Sequence, residues 1–188
     1  MSNQNKPPIT PRQKKFLERL SATRERLLQA IEDLDPEILI HSKVVDDWTV
    51  KDLIGHIVSW NGEFRAEIEI ILVGRHPGYE YQISDEDDFS VWNDAWIAQK
   101  RDWSWQRILA DLDRDYQEAA ELILRLQPED YRQRGVTPWK PAAITRIENP
   151  TKKDTDSVET LIAYHWRHSN QHIKQIEKWR RNVIDTES

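Results

Sequence analysis

Four long segments of this chain carry apolar side chains at steps of three and four residues, the spacing of a helix that buries one face. In the first segment these apolar positions are Phe16, Leu17, Leu20, Leu27, Leu28, Ile31 and Leu34. The sequence shows no convincing strand, and its 188 residues include only five glycines, which argues against an all-β fold. We therefore predict an all-α fold, in which the apolar faces of four helices pack together as a four-helix bundle.

Capping residues and prolines indicate where these helices begin and end. Thr10 precedes a proline at the first helical position, and Thr49 is followed three residues later by Asp52, a variant of the capping box. The predicted helical regions are 10–33, 49–74, 89–127 with an interruption at 102–104, and 157–181. Long loops are expected after the second and third regions. Asp35 is expected to begin a short turn or a one-turn helix, and residues 38–48 are expected to be irregular.

The length of the chain indicates one domain of ordinary size. We expect residues 1–9 to form a disordered tail, residues 10–182 to form the single bundle domain, and residues 183–188 to fray at the C-terminus. Helical bundles often pair through a helix face, so a homodimer is also an expectation.

Charge and composition bear on the partners of this chain. Its net charge is −6 and its longest basic runs are 12–15 and 178–181, so we expect no nucleic-acid partner. The longest apolar run, residues 70–73, is far too short to cross a bilayer, so no membrane partner is expected. The chain has no cysteine, and residues 1–6 contain no apolar signal core. These features indicate a cytoplasmic protein without disulfides and without a thiol nucleophile of its own.

Three of the six histidines fall within one predicted helix, the last one. His168 and His172 are four residues apart, so they stand one turn above each other on the same helix face. That spacing lets two imidazoles bind one divalent metal ion. The pair also lies on the apolar stripe of its helix, together with His165 and Trp179, where a packing helix places its buried seam. Imidazoles in that position need polar partners.

His56 lies on the second predicted helix, at the edge of its apolar stripe. If it faces His168 and His172, the three imidazoles supply three nitrogen ligands and leave one position open for water or substrate. Metal sites in bundles are commonly built this way, from side chains on facing helices. The predicted cofactor is therefore a divalent ion, Zn²⁺ or Ni²⁺. The alternative is that the histidine pair occurs by chance and holds no metal.

Other polar side chains near these histidines are further site candidates. Glu63 and Glu67 follow His56 on nearly the same line of the second helix, where either could orient a bound group or move a proton. A solvated carboxylate at the helix edge is the simpler interpretation of each. His165 lies roughly 10.5 Å from His172 along the helix axis, so we expect it in a pocket wall. The alternative for His165 is a core histidine bonded to a backbone carbonyl.

Tryptophan is unusually frequent, with nine residues in the chain, and its large apolar surface suits a core or a pocket wall. Trp48, Trp60 and Trp166 are candidates for the walls of a substrate pocket. Ordinary core packing is the alternative for each of them. His41 and His76 lie in predicted loops, and we interpret both as surface residues.

Several of these segments together resemble the DinB-like four-helix bundle proteins. Residues 48–56, WTVKDLIGH, look like the start of the second helix in that family, where a tryptophan and a small hydroxyl residue precede a helix that contains a histidine. Residues 168–176, HSNQHIKQI, are similar to the family's last helix, in which HxxxH precedes a glutamine and an aliphatic residue. Residues 91–124 and 177–179 resemble the ClbS/DfsB-like branch of the same superfamily. The whole resemblance spans roughly residues 14–181.

The resemblance implies a helical bundle with a three-histidine divalent metal site, carried over onto His56, His168 and His172. Members of the superfamily include thiol-dependent S-transferases and isomerases that use low-molecular-weight thiols. The ClbS/DfsB-like branch is associated with resistance to a toxic metabolite, and many of its members lack the full histidine triad.

Three functions are compatible with these residues. The first is a metal-dependent enzyme, a thiol S-transferase or hydrolase that acts on a small-molecule substrate, for example in detoxification. Because the chain has no cysteine, any thiol would arrive as a low-molecular-weight cosubstrate. The second is a metal-free protein of the ClbS/DfsB type that binds and sequesters a small molecule. The third is a structural or regulatory bundle whose histidines satisfy one another through water.

Overall fold

The computed structural model describes residues 8–73, 89–137, 139, 152 and 155–186. Most of these residues lie in six helices, which are α1 Pro11–Ile31, α2 Pro36–His41, α3 Val50–Val73, α4 Phe89–Lys100, α5 Trp105–Arg125 and α6 Val158–Thr186. The described strands are β1 Lys43–Val45, β2 Trp48–Thr49, β3 Arg134–Gly135 and β4 Asp156–Ser157. The long helices α1, α3, α5 and α6 pack into a bundle, which confirms the predicted fold class.

The first helix begins where its capping signal predicts. The Thr10 hydroxyl accepts a hydrogen bond from the Gln13 amide at 3.2 Å, and the Gln13 side-chain oxygen accepts one from the Thr10 amide at 2.8 Å. The Gln13 side-chain nitrogen donates to the carbonyls of Ile123 and Leu126 at the end of α5. Gln13 therefore completes the cap of α1 and also satisfies carbonyls that the end of α5 leaves without helical partners.

Two other helices begin at the predicted capping residues. The Thr49 hydroxyl accepts a hydrogen bond from the Asp52 amide at 3.2 Å, and the Asp52 carboxylate accepts one from the Thr49 amide at 2.9 Å. The Ser104 hydroxyl accepts a hydrogen bond from the Arg107 amide at 3.2 Å and caps α5. The predicted interruption at 102–104 is therefore a helix boundary, which separates α4 from α5.

The segment predicted to be irregular, residues 38–48, is more ordered than expected. It contains most of α2 and all of β1, and it turns between β1 and β2 at Asp46, whose φ is 49°. Aspartate tolerates this left-handed conformation, so the two strands pair through a tight turn. Strands this short have too few residues to show a periodic pattern. The hairpin delivers Trp48 and Thr49 to the start of α3.

A second antiparallel ladder joins the two ends of the long connection predicted at 128–156. Arg134 pairs with Ser157, and Gly135 pairs with Asp156. The extended residues expected within this connection are therefore present, and they lead directly into α6. The pairing holds β4, and with it the first turn of α6, against β3.

Some predicted boundaries fall outside the described residues or differ from them. Residues 1–7 of the predicted tail, the predicted loop at 75–88 and His76 lie outside the described part of the chain. The last helix, α6, is helical as far as Thr186 and thus continues past its predicted end near residue 181.

The hydrophobic core lies between the four long helices. Its fully buried side chains include Leu27 of α1, Ile57 of α3, Leu112 of α5 and Ile173 of α6. The shorter helix α4 packs against α3, and α3 in turn packs against both α5 and α6. Within the described residues, no helix combines the length and the apolar composition that a bilayer span requires.

Candidate metal centre

Three histidine side chains converge where α3 and α6 pack together. His56 lies near the start of α3, and His168 and His172 lie one turn apart on α6. The Nε2 atoms of His56 and His168 are 3.1 Å apart, and those of His168 and His172 are also 3.1 Å apart. All three donor nitrogens lie within 4.8 Å of one another. The structure thus brings together the three residues that the sequence suggested as ligands, which we call the triad.

The spacing of two of the three nitrogen pairs in the triad suits a tetrahedral metal ion. Zinc–nitrogen bonds of roughly 2.0–2.1 Å at tetrahedral angles place two ligand nitrogens about 3.3 Å apart. Two of the three pairs are separated by 3.1 Å. Imidazole nitrogen is a ligand that zinc, copper, iron and nickel all accept. Three protein ligands leave a coordination position for another molecule, which is the arrangement of catalytic rather than structural zinc sites.

Hydrogen bonding around the triad also favours a bound cation. His172 Nδ1 lies 2.8 Å from the side-chain oxygen of Gln175. Because that oxygen can only accept, the His172 proton resides on Nδ1 and the Nε2 lone pair is directed at His168. A neutral His168 can donate from Nε2 to only one of its two nitrogen neighbours. The buried Nδ1 atoms of His56 and His168 have no hydrogen-bond partner among the described residues.

Burial keeps the triad in the neutral form that metal ligands require. It lowers the pKa of His56 to about 3 and the pKa of His168 to about 2, and the neighbouring His172 contributes to both shifts. Burial also lowers the pKa of His172. At neutral pH, therefore, a cation does not have to displace protons from these imidazoles.

Two of the predicted pocket tryptophans contact the triad. The ring of Trp48 lies 4.9 Å from the ring of His56, measured between centroids. The ring of Trp60 lies 6.5 Å from that of His56 and 6.0 Å from that of His168. Trp60 is also the centre of a cluster of aromatic rings, which includes Phe64, Phe89, Trp92, Trp96 and Trp139. One side of the triad is therefore bordered by apolar rings.

An open pocket lies beside His168, which forms part of its wall. Its volume is about 340 Å³, within the range of small-molecule sites. Its other lining residues are Trp60, Phe64, Trp139, Tyr164, Arg167 and Gln171. We call it the aromatic pocket. A molecule held in it would lie next to the triad.

The sequence reasoning missed Trp139, Tyr164 and Asp156. The indole nitrogen of Trp139 donates to one Asp156 carboxylate oxygen at 2.8 Å, and the Tyr164 hydroxyl donates to the other at 3.3 Å. Asp156 is only 3% exposed and also accepts a hydrogen bond from the Thr137 hydroxyl at 2.8 Å. No local pattern connects Trp139 with Asp156, because 17 positions separate them in the chain. The only sequence signal was the position of Asp156, an acidic residue directly before a predicted helix start.

Two predicted pocket residues lie in a different part of the core. His165 Nε2 is 3.3 Å from Asp115 Oδ2, so its neighbour is a carboxylate rather than the backbone carbonyl considered from sequence. Trp166 packs against Phe16, with ring centroids 5.5 Å apart. Both residues line a small buried cavity of about 20 Å³, room for roughly one water molecule. Trp166 is two residues from His168, and the resulting rotation of about 200° puts it on another helix face.

The two glutamates lie farther along α3 from the triad. Glu63 is about 10.5 Å beyond His56 along the helix axis, and Glu67 is about 16.5 Å beyond it. Glu63 is half-buried, and burial raises its pKa. Glu67 is only 3% exposed. The shorter distance favours Glu63 over Glu67 for proton transfer, and both roles stay predictions.

A buried lysine fixes the backbone next to His56. Lys100 Nζ donates to the Gly55 carbonyl at 3.0 Å and lies 3.3 Å from Asp111 Oδ2. Burial lowers the pKa of Lys100 to about 8. Because Lys100 ends α4 and Asp111 belongs to α5, this contact ties both helices to α3 at the level of the triad.

A second buried ion pair joins α3 to α5. Arg65 pairs with Asp115, whose side chain is fully buried and also accepts a hydrogen bond from Asn61 at 2.8 Å. Burial alone would raise the pKa of Asp115, but His165 and Arg65 hold it below its usual value. The pair fixes the position of α3 along α5, and with it the position of His56.

Three solved structures share this fold. An uncharacterised protein from Clostridium difficile 630 matches with a TM-score of 0.71 and 13% identity, over 93% of this chain and 98% of that one. YfiT from Bacillus subtilis, described as a probable metal-dependent hydrolase with an unusual four-helix bundle topology, matches with a TM-score of 0.64 and 18% identity, over 97% and 93% of the two chains. The colibactin self-resistance protein ClbS, in complex with double-stranded DNA, matches with a TM-score of 0.67 and 10% identity, over 89% and 94%. These similarities show a shared fold.

The exclusion of nucleic-acid partners from sequence charge is wrong. ClbS has the same fold, and its structure is a complex with double-stranded DNA. Net charge sums every ionised side chain and does not describe the potential of any one face of a protein. A total of −6 therefore gives no ground for excluding nucleic acids.

Comparison with protein families agrees with the fold and with the motifs. No curated protein sequence matches this chain. The family model of the DinB superfamily, however, matches residues 19–176, a range that contains the whole triad. This confirms the resemblance carried by residues 48–56 and 168–176. The chain therefore belongs to the DinB superfamily.

Proposed function

We propose that this chain is a metal-dependent enzyme that acts on a small molecule, with His56, His168 and His172 as the ligands of a divalent ion, Zn²⁺ or Ni²⁺. The observation that carries the proposal is the convergence of three imidazoles whose donor nitrogens lie within 4.8 Å of one another. When bound, such an ion supplies Lewis acidity, which lowers the pKa of a water or a thiol beside it. The description of YfiT as a probable metal-dependent hydrolase supports the same assignment.

The residues around the triad would hold it in one geometry. Gln175 keeps the His172 proton on Nδ1, which leaves Nε2 as the ligand atom. Trp48 packs against the ring of His56, and Lys100 holds the backbone carbonyl of the preceding residue. Because these contacts exist in the protein alone, the imidazoles are partly positioned before an ion binds.

Two reaction classes fit this site. In hydrolysis, water adds to the electrophilic atom, the bond to the leaving group breaks, and the leaving group takes up a proton. In S-transfer, a low-molecular-weight thiol loses its proton and forms a carbon–sulfur bond with the substrate, while the bond to the substrate's leaving group breaks and the leaving group departs as an anion or takes up the proton. The sulfur comes from the cosubstrate because the chain has no cysteine. Of the two glutamates on α3, Glu63 is the candidate for carrying this proton, because it is nearer to the triad than Glu67 and burial raises its pKa.

A metal-free binding protein is the second candidate. The aromatic pocket supports it, because apolar ring walls beside buried neutral histidines suit a lipophilic compound whether or not a reaction follows. The description of ClbS as a self-resistance protein supports a protective role for a protein of this fold.

Turnover of a model electrophile distinguishes the two candidates. Zinc-loaded protein is given an excess of p-nitrophenyl acetate, and in a second assay monochlorobimane with free cysteine as the thiol. The enzyme is expected to form many product molecules per protein molecule, and His168→Ala is expected to abolish this. A binding protein would form at most a one-to-one complex. Equal product yields from wild type and His168→Ala would contradict the enzyme.

A further inference from the structure

Four aromatic side chains form most of the wall of the aromatic pocket: Trp60, Phe64, Trp139 and Tyr164. The centroids of their neighbouring rings are 5.5 to 6.4 Å apart. These separations are those of aromatic rings in mutual contact. The pocket therefore offers a continuous surface of ring faces and edges, which matches a flat apolar group better than a polar one.

The polar atoms of these rings are already hydrogen-bonded to the protein. Trp60 donates from its indole nitrogen to Asn93 at 2.9 Å. Trp139 and Tyr164 both donate to Asp156, at 2.8 and 3.3 Å. The rings are thus held in place before a ligand arrives, so a ligand gains contact area without ordering the walls. Because the donor groups of these rings already have partners within the protein, the ring surface offers a ligand few hydrogen-bond donors. This again favours an apolar ring as the ligand.

One side of the pocket is polar. Arg167 and Gln171 lie one turn apart on α6, and Arg167 is the one charged side chain among the described residues that line the pocket. A guanidinium presents paired donors that match a carboxylate, and such charge-assisted bonds are stronger than neutral ones. The pocket therefore combines an apolar ring surface with a single cationic group.

We propose that the aromatic pocket binds a planar aromatic compound that carries an anionic group, with the anion on Arg167 and Gln171 and the ring against Trp60 and Trp139. The proposal rests on the proposed function, because it names the substrate class of the same site. His168 is next to Arg167 in the chain and forms part of the same wall. A substrate anchored by its anion is therefore held beside the triad.

Binding of matched probes tests the two parts of this proposal separately. Isothermal titration measures the affinity of 2-naphthoate, of the neutral 2-naphthamide, and of the non-planar decahydronaphthalene-2-carboxylate. We expect naphthoate to bind at least about tenfold more tightly than either of the other two. All titrations use the full chain, in metal-free and zinc-loaded form.

Two variants and two controls assign the binding to the pocket. Arg167→Gln should remove the preference for naphthoate over naphthamide, whereas Arg181→Gln, at an exposed arginine farther along α6, should preserve it. Trp139→Leu should weaken both planar probes about tenfold. Trp105→Leu, at a half-buried tryptophan outside the pocket, should weaken neither. Melting temperatures of all four variants show whether each one is folded.

Equal affinities for naphthoate and naphthamide, or an Arg167→Gln protein with an unchanged preference, would overturn the proposal. So would weak binding of all three probes. Zinc titration of the same samples separates these failures from a failure of the proposed function. If zinc binds and naphthoate does not, only the substrate class is wrong. If naphthoate binds as expected and zinc does not bind, the pocket assignment is supported and the metal-dependent reaction is wrong.

Discussion

The Nε2 atoms of His56 and His168 lie 3.1 Å apart, although 112 positions separate the two residues in the chain. A neutral imidazole has one proton, and His168 Nε2 also lies 3.1 Å from His172 Nε2. The three rings therefore cannot all satisfy one another by hydrogen bonding. A cation shared by the three nitrogens removes this conflict, and that is the physical basis of the proposed metal site.

Acid should destabilise the metal-free protein through the triad. Burial lowers the pKa of all three imidazoles, to about 3 for His56 and about 2 for His168. Below a pH of about 6.5 the unfolded chain binds protons that the folded triad does not bind. The free energy of unfolding should therefore fall as the pH falls from about 6.5 toward about 3. The expected loss is on the order of 1 kcal/mol per pH unit for each histidine.

Urea denaturation of the metal-free protein at about pH 7 and about pH 5 measures this loss. Carboxyl groups also titrate at low pH, so a His168→Asn variant is the reference. The variant has one fewer buried imidazole, and its stability should fall less between the two pH values. An equal fall in both proteins would show that the folded protein does not resist protonation of His168.

Loss of the Gln175 side chain should weaken zinc binding without removing a ligand. Gln175 accepts the hydrogen bond that holds the proton of His172 on Nδ1. Comparable partners of metal-binding histidines contribute roughly 10–100-fold to affinity, so Gln175→Ala should raise the dissociation constant for zinc at least about tenfold. Lys174→Ala, at an exposed neighbouring position, is the control and should leave it unchanged. Competition with a chromophoric chelator provides the dissociation constants.

Two glycines lead to opposite predictions for an added methyl group. At Gly135 in β3 a Cβ atom would lie 2.7 Å from Cγ1 of Ile71 in α3, so Gly135→Ala should lower the free energy of unfolding by about 1–3 kcal/mol. At Gly62 within α3 a Cβ atom would meet no described atom within 4 Å apart from its chain neighbours and the nearby backbone of its own helix. Gly62→Ala should raise stability by about 0.5–1 kcal/mol. In urea titrations, a Gly135→Ala protein as stable as the wild type would contradict the packing of β3 on α3, and a destabilised Gly62→Ala protein would contradict the open space beside Gly62.

The buried contact between Lys100 and Asp111 should show strong coupling in a double-mutant cycle. Lys100→Met removes the buried cation and leaves the Asp111 carboxylate with Arg114 as its remaining cationic partner, which should cost about 1–3 kcal/mol of stability. Lys100→Met/Asp111→Leu removes both charges and should recover most of that loss. Urea denaturation of the wild type, Lys100→Met, Asp111→Leu and the double variant gives the coupling energy. Additive effects would show that the two side chains do not interact.

Much of the fold could be predicted because the residues that start each helix act on amides only a few positions away. Thr10, Thr49 and Ser104 cap helices through hydrogen bonds to amides three residues later, and such bonds leave a readable sequence pattern. The residues of β1 and β2 escaped prediction because strands so short show no periodicity. Net charge was misleading about nucleic acids because it carries no information about where on the surface the charges lie.

In the candidate site, too, the local features could be predicted from the sequence and the long-range contacts could not. The one-turn spacing of His168 and His172 is local, and it indicated a ligand pair directly. Whether His56 completes the triad depends on how α3 packs against α6. The spacing of residues within either helix does not show how the two helices pack. Trp139 is held at the aromatic pocket by its hydrogen bond to Asp156, a contact between residues 17 positions apart in the chain. Only the folded chain reveals it.

Zinc stoichiometry tests the central claim most directly. Wild-type protein, His168→Ala/His172→Ala, and His41→Ala as a control at an exposed histidine, with a side chain 71% exposed, are dialysed against zinc and analysed by elemental mass spectrometry. The triad predicts about one tightly bound zinc per chain in the wild type and in His41→Ala, and none in the double variant. No bound zinc in the wild type, or the same content in the double variant, would contradict the metal site.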